Sequence, residues 1–377
     1  MAAVNFKGAV CGLWLYSALP CNALERLDDE ALSGVAGQSL FNSLYTASGG
    51  SNPNGNVAFY RLMVDAQLDL NMNIHKLALG CDGPNGTGVC DIDIDRVVLT
   101  GLAGTGVDAG PPTDFTLYRP FLEFAISNPD SPSTRTVTGI RLGAAEAFGN
   151  MSLGFRPAGT DNNPANHSGI NSFSGDMVAM VNNAQLPVSL CLLSAANATR
   201  TGCNFGGGIP LGNATINTDD PNPGDNVFNL VLRRQGINAN SPTLSPVVAV
   251  AVGFLSLHAD FTEDLRFVHS LQMGSDTNGN GRFDAGEGTR DFYLGLQKLA
   301  LTWPKVSTGN FAGAVPAEKG WWMSVPKVIL GDFTGRRVYA GAGEAIGNLL
   351  GGANVPISNV DLNQRPVDNC WGTLTFC

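Results

Sequence analysis

The chain has 377 residues, with 22 Lys and Arg against 32 Asp and Glu, for a net charge of −10. Only 14% of residues are charged while 44% are hydrophobic and 47 are glycine, which excludes a disordered, solvating chain. The acidic balance offers no basic stripe to neutralise phosphates and so excludes a nucleic-acid partner.

At the start, Lys7 precedes an apolar stretch, Gly8–Pro20, which gives way to Cys21, Asn22 and Ala23. A short positive region, an apolar core and a small residue at the cut describe a secretory signal peptide over residues 1–23. The apolar run, about 13 residues, is shorter than the roughly 20 a spanning helix needs. No later stretch suits a transmembrane helix, so the mature chain is expected in the periplasm or at the cell surface. Residues 24–377 read as a single large β-rich domain, with a weak boundary near Pro221–Asp225. Asp28–Leu32 is a candidate short helix, ended by Gly34.

From Tyr60 to Ile74 the chain alternates. Tyr60, Leu62, Val64, Ala66, Leu68, Leu70, Met72 and Ile74 share one parity, and Arg61, Asp65, Gln67, Asp69, Asn71 and Asn73 the other. Period two predicts one strand or a bent pair, with the apolar parity dry and the charged parity wet. As a single strand it would run about 50 Å. Asp91–Thr100, Phe115–Ile126, Thr134–Leu142, Val227–Arg233, Val247–Phe261 and Trp321–Leu330 are further β-rich segments. Ala144–Phe148 and Glu344–Leu350 are brief helix candidates, the latter opened by the turn Gly341–Gly343. The fold expected is all-β: long amphipathic strands in a large curved or folded-over sheet, sandwich- or solenoid-like, with minor short helices. Polar loops such as Pro157–Ser174 and Gly206–Asn226 separate the strands; loops this long are usually functional or held by ions and bridges.

Of eight cysteines, Cys11 and Cys21 fall in the signal. The others form close sequence pairs, Cys81/Cys90, Cys191/Cys203 and Cys370/Cys377. Sequence leaves the connectivity open, but each pair encloses Gly, Asn or Ser, as a small stapled loop would. With no C-x-x-C and few histidines, local disulfides in an oxidising compartment fit better than a metal.

Residues 276–287 carry the pattern of a twelve-residue calcium loop, which wants oxygen side chains at positions 1, 3, 5, 9 and 12 and Gly at 6. These are Asp276, Asn278, Asn280, Asp284 and Glu287, with Gly281 in place, Arg282 offering its backbone carbonyl and Phe283 packing inward. The flanks read as strands, so the loop is expected without a helix pair. The competing reading is an Asn/Gly hairpin that holds no ion. If Ca2+ is bound, two Asn ligands point to a weak structural site. A second polar cluster, Asp82, Asn85, Asp91, Asp93 and Asp95, surrounds the Cys81/Cys90 loop. There like charges on one strand face need a cation, basic neighbours or water. Asp219, Asp220 and Asp225 form a weaker group. No G-x-S-x-G elbow, H-E-x-x-H or phosphate-binding loop occurs, and no catalytic residue is assigned.

Leu27–Gln38 (LDDEALSGVAGQ), Asn56–Gly80 (NVAFYRLMVDAQLDLNMNIHKLALG) and Cys81–Thr100 (CDGPNGTGVCDIDIDRVVLT) together resemble the exported Fil-type pilus-assembly family of Gram-negative gamma-proteobacteria. The similarity is clearest over the first hundred residues. It implies a surface or pilus-related role and brings no enzymatic activity with it. Three readings follow. The first is an exported cell-envelope structural or assembly protein, clipped by disulfides and calcium, with envelope or pilus-assembly partners or self-association through strand edges. The second is a periplasmic lipid- or apolar-ligand-binding module using the Tyr60–Ile74 face. The third is a secreted hydrolase with an unrecognised site.

Overall fold

The structure, a computed structural model, describes residues 40–83, 86–102, 113–156, 166–180, 185–192, 202–215, 227–228, 243–244, 247–252, 255–280, 282–329, 338–350, 355–358, 364 and 366. The expected signal peptide, the Asp28–Leu32 helix, the 221–225 boundary, Asn85, Asp219, Asp220, Asp225, Gly281, Cys370 and Cys377 lie outside them.

The first half of the chain is built from β1 (Phe41–Thr46), β2 (Val57–Val64), β3 (Gln67–Leu70), β4 (Met72–Leu79), β5 (Ile92–Thr100), β6 (Phe115–Ser127), β7 (Thr136–Ser152), β8 (Ile170–Ser172) and β9 (Gly175–Met180). Next come β10 (Gln185–Cys191), β11 (Ile209–Thr215), β12 (Val227–Phe228), β13 (Thr243–Leu244), β14 (Val247–Val252) and β15 (Leu255–Asp264). After a 3-10 turn at Leu265–Phe267 follow β16 (Ser270–Met273), β17 (Thr289–Gln297), β18 (Leu301–Thr302), β19 (Pro316–Ala317), β20 (Gly320–Ile329) and β21 (Val338–Gly341). The helix α1 (Ala342–Leu349) and β22 (Val355–Ser358) complete the described chain. The fold is all-β, with a large mixed sheet, and α1 is the one α-helix among the described residues.

A 13-stranded sheet runs β1-β2-β6-β7-β16-β20-β9-β12, with β17 bridging β7 and β20, and β3, β4, β5 and β8 attached along its flank. Its pairs are antiparallel except β20 with β9. Smaller sheets are β11-β10-β21, β13-β15-β14 with β22, and β18-β19. The axis of the large sheet is β7, 17 residues or about 55 Å of extended chain. It is paired with β6 and β5 along one side and with β17 and β16 along the other.

This position overrides the helix expected at Ala144–Phe148, which lies inside β7. Alanines and glutamate favour a helix in isolation, but a central strand satisfies every backbone group through two neighbours and gives Ala147 and Phe148 a core to enter. Glycine is required where β17 comes closest: a Cβ at Gly143 would sit 2.1 Å from the Phe292 carbonyl oxygen. At Glu344–Leu350 the helix is present, and the Gly341 N–H donates to the Glu344 carboxylate (3.0 Å), the reciprocal arm of a capping box.

Tyr60–Ile74 is a bent trio rather than one strand. It breaks at Asp65–Ala66 and again at Asn71. Both β2 and β3 remain on β6 while β4 turns to pair with β5. Two apolar cores result. One gathers Ile92, Phe115, Leu153, Phe173 and Val325. The other, built on Phe59, Phe121, Tyr293, Trp303 and Trp322, lies under the segment that joins β18 to β19.

Candidate association face

The register across β1, β2, β6, β7, β17 and β20 decides what each face of the sheet carries. One row runs Arg61–Glu123–Arg141–Gly295–Trp322; the rows beside it are Leu62–Leu122–Leu142–Leu294–Met323 and Tyr45–Tyr60–Phe124–Ile140–Leu296–Trp321. Successive side chains alternate between faces, so the charged row and the two apolar rows point oppositely.

The charged row is the buried one: Arg61, Glu123 and Arg141 are 3%, 1% and 2% exposed. This reverses the expectation that Arg61 would be wet and Tyr60 and Leu62 dry. The physical reason is the cover. Residues 303–306 cross over this face, and Arg61 donates to the carbonyls of Val306 (3.1 Å) and Pro304 (3.2 Å), Arg141 to that of Pro304 (2.5 Å). The two guanidiniums thus satisfy carbonyls that have no strand partner, a need that apolar side chains could not meet. Glu123 holds the arginines together, accepting from Arg141 Nε at 2.7 Å, pairing with its Nη2, and meeting Arg61 Nε at 3.2 Å. Aromatic rings complete the sandwich: the Arg141 guanidinium carbon lies 4.7 Å from the Tyr293 ring centroid and 4.9 Å from that of Trp303. Burial lowers the affinity of Arg61 for its proton. Glu123 opposes the shift and Arg141 reinforces it. With two cations to one anion, the trio depends heavily on Glu123.

The opposite face carries the apolar rows, and among the described residues nothing covers their middle. Leu142 is 62% exposed, Leu62 47%, Tyr60 39%, and Ile140, Leu296 and Val137 are also exposed. Leu294, Trp321 and Met323, farther along the same rows, enter the first core. The exposed band therefore begins where that core stops and continues outward to β1. Tyr45 packs against Tyr60 there, ring centroids 4.8 Å apart and tilted, and Phe41 is exposed. Among the described residues β1 pairs with β2 alone, so in the described sheet the band ends at an edge strand. Exposed apolar surface that runs into an unpaired edge marks a place where another chain can add.

The 276–287 loop connects β16 to β17, strands on both sides as expected. Phe283 packs inward between Tyr118 and Phe148 (5.6 and 5.7 Å), and the Gly286 N–H donates to Glu146. The donor chemistry suits calcium, but the loop's own N–H groups occupy the oxygens. Asp276 accepts from the Gly279 and Asn280 amides, Asn278 and Asn280 both donate side-chain amides to Asp284, and Glu287 accepts from Thr277 and Asp284. Among the described residues no group of three or more His, Cys, Asp or Glu is assembled to hold a metal.

Two stapled loops are formed, Cys81–Cys90 and Cys191–Cys203. In the second polar cluster, basic and amide neighbours meet the carboxylates. Lys76 pairs with Asp93 and Asp95, Asn171 donates to both, and buried Asp91 accepts from the Trp321 backbone N–H at 2.8 Å. Burial alone would lower the Lys76 ammonium, but its bonds to Asp93 and Asp95 outweigh that and raise it. The Arg61–Glu123–Arg141 trio, whose members lie on three separate strands, was missed by the sequence reading. The one available signal was a charged side chain inside each of three β-rich segments, and β6 and β7 each carry a second one, Arg119 and Glu146, outside the trio.

No family model, curated protein or solved structure compared with the chain matches it.

Proposed function

We propose that this protein is an exported structural or assembly component of the bacterial cell envelope, of the pilus or surface-fibre kind, that works by associating through its apolar sheet face. The observation that carries this reading is the band Tyr60, Leu62, Ile140, Leu142 and Leu296, exposed and continuous with β1, which among the described residues pairs with β2 alone. Such an edge accepts a further strand by backbone hydrogen bonding while the band beside it supplies apolar area. The two disulfides suit an oxidising compartment, and the resemblance of residues 27–38 and 56–100 to the Fil-type family supports the same role. Among the described residues no helix is long and apolar enough to cross a membrane.

Surface fractionation and negative-stain microscopy of cells expressing the full chain test the proposal. The expected result is protein in fibres or bound to envelope partners, with Leu62→Lys/Leu142→Lys reducing that association at least tenfold. A protein that stays monomeric in the periplasm, indifferent to those substitutions, overturns it.

Calcium enters the same proposal as a structural ligand of Asp276, Asn278, Asn280, the Arg282 carbonyl, Asp284 and Glu287. Binding would require the Asn278 and Asn280 amides to turn their oxygens inward. Millimolar Ca2+ is expected to raise the melting temperature, a chelator to reverse the rise, and Asp276→Ala to abolish it; a melting temperature unmoved by Ca2+ removes the ion.

A further inference from the structure

On the buried side of the sheet, beyond Arg141, lies a cavity of about 240 Å³. It is separate from the association face, on the other side of β7 and β17. Its walls are Trp303, Pro304, Val315 and Pro326, and charges of both signs reach it: Arg141 and Lys305, Asp176 and Asp291.

Each of these groups is placed by the fold. Arg141 has Nε and Nη2 committed to Glu123 and the Pro304 carbonyl, which leaves Nη1 as its donor for anything in the cavity. Tyr293, Ser324 and Asp176 are successive partners across β17, β20 and β9, so two hydroxyls and a carboxyl line up on three adjacent strands. Asp176, buried, is steadied by the Trp322 indole N–H at 3.2 Å. Asp291 is brought in by a left-handed backbone (φ 59°) inside β17, and accepts the Val306 N–H at 2.6 Å. A left-handed non-glycine residue within a strand is costly, and such strain gathers where a side chain must be aimed. The Trp303 indole N–H is buried and has no acceptor, although Trp303 lines the cavity.

We propose that this cavity binds a zwitterionic small molecule of amino-acid size, its carboxylate taken by Arg141 and Lys305 and its ammonium by Asp291 and Asp176. Size and charge select this class. A volume of about 240 Å³ corresponds to roughly eight waters at about 30 Å³ each, which suits an amino acid. A simple anion would offer nothing to the two carboxyls, and an uncharged sugar would bring no full charge to Lys305, Asp176 or Asp291 in a place where water screens poorly. The aromatic and proline walls accept an apolar side chain, as ligand pockets usually do.

Individual L-amino acids at 10 mM, screened by thermal shift and followed by calorimetric titration of the hits, test the assignment. At least one is expected to raise the melting temperature. Its methyl ester and its N-acetyl derivative, each lacking one charge, are expected to bind at least tenfold more weakly. Lys305→Met, at the rim, should weaken binding at least tenfold, and Ala314→Trp, which fills the cavity, should abolish it. Failure of every amino acid to shift a cooperatively melting protein overturns the proposal. So does undiminished binding of either derivative, or binding retained in Ala314→Trp.

Discussion

The two faces of the sheet at β2, β6 and β7 invert the usual arrangement. Between Arg61 and Leu62, one peptide bond apart, exposure rises from 3% to 47%. On one side charges are inside, beneath a crossing segment whose carbonyls they bind; on the other, leucines and aromatic residues are outside. The difference shows that burial here follows what lies over a face, not the polarity of the side chains on it. A covering loop brings unpaired carbonyls, so it selects cations; the opposite face, which no described segment crosses there, keeps its leucines exposed.

The largest effect should come from breaking the buried side. Glu123→Gln leaves Arg61 and Arg141 in the interior without their anion, and loss of one partner of a buried pair costs about 3–5 kcal/mol. Denaturant unfolding measures it. A loss below 1 kcal/mol would mean that water reaches the trio and that the inversion of the faces is weaker than described. Cys81→Ser/Cys90→Ser serves as a control lying on neither face. Opening that short loop should cost about 2–3 kcal/mol, leaving surface association unchanged. Smaller still, Leu62→Lys/Leu142→Lys should alter stability by no more than about 0.5 kcal/mol, as exposed positions do, while removing association. If those substitutions unfold the protein instead, the leucines are packed within the chain and the face is not open.

Alternation announced strands at Tyr60–Ile74; Asp91–Thr100 and Phe115–Ile126 formed as read, and so did Trp321–Leu330 as far as Ile329, the last residue described there. Short cysteine spacing announced the two staples. Period two, however, gives two faces without saying which is covered. At β2 the answer depends on residues 303–306, far away in the chain, so polarity assigned the faces the wrong way round. The same distance hid the trio and the cavity, whose members are gathered from β2, β6, β7, β9, β17 and β20. Ala144–Phe148 misled for a related reason: its helix-forming residues are overruled by neighbours on both sides of β7. The 276–287 loop was legible as a loop between strands, because its Asn, Asp and Gly residues make local turns that need no distant partner.

The smallest effect is a pH dependence confined to the buried side. Burial holds the Asp176 carboxyl above its ordinary value, and the hydrogen bonds from Ser324 and Trp322 only partly offset it. The folded protein therefore binds this proton more tightly than the unfolded chain does. Its contribution to stability is complete below the ordinary carboxylate range and is lost as pH rises through the elevated value. Asp176→Asn, which fixes a neutral side chain, should remove that part of the slope and be no less stable than the parent at neutral pH. The difference between the two unfolding curves across this range isolates the group, because all other titrations cancel. Leu142→Lys, on the open face, should keep the parental slope. If Asp176→Asn and its parent run parallel, Asp176 titrates as it would in water, and the low-dielectric side of the comparison does not extend as far as β9.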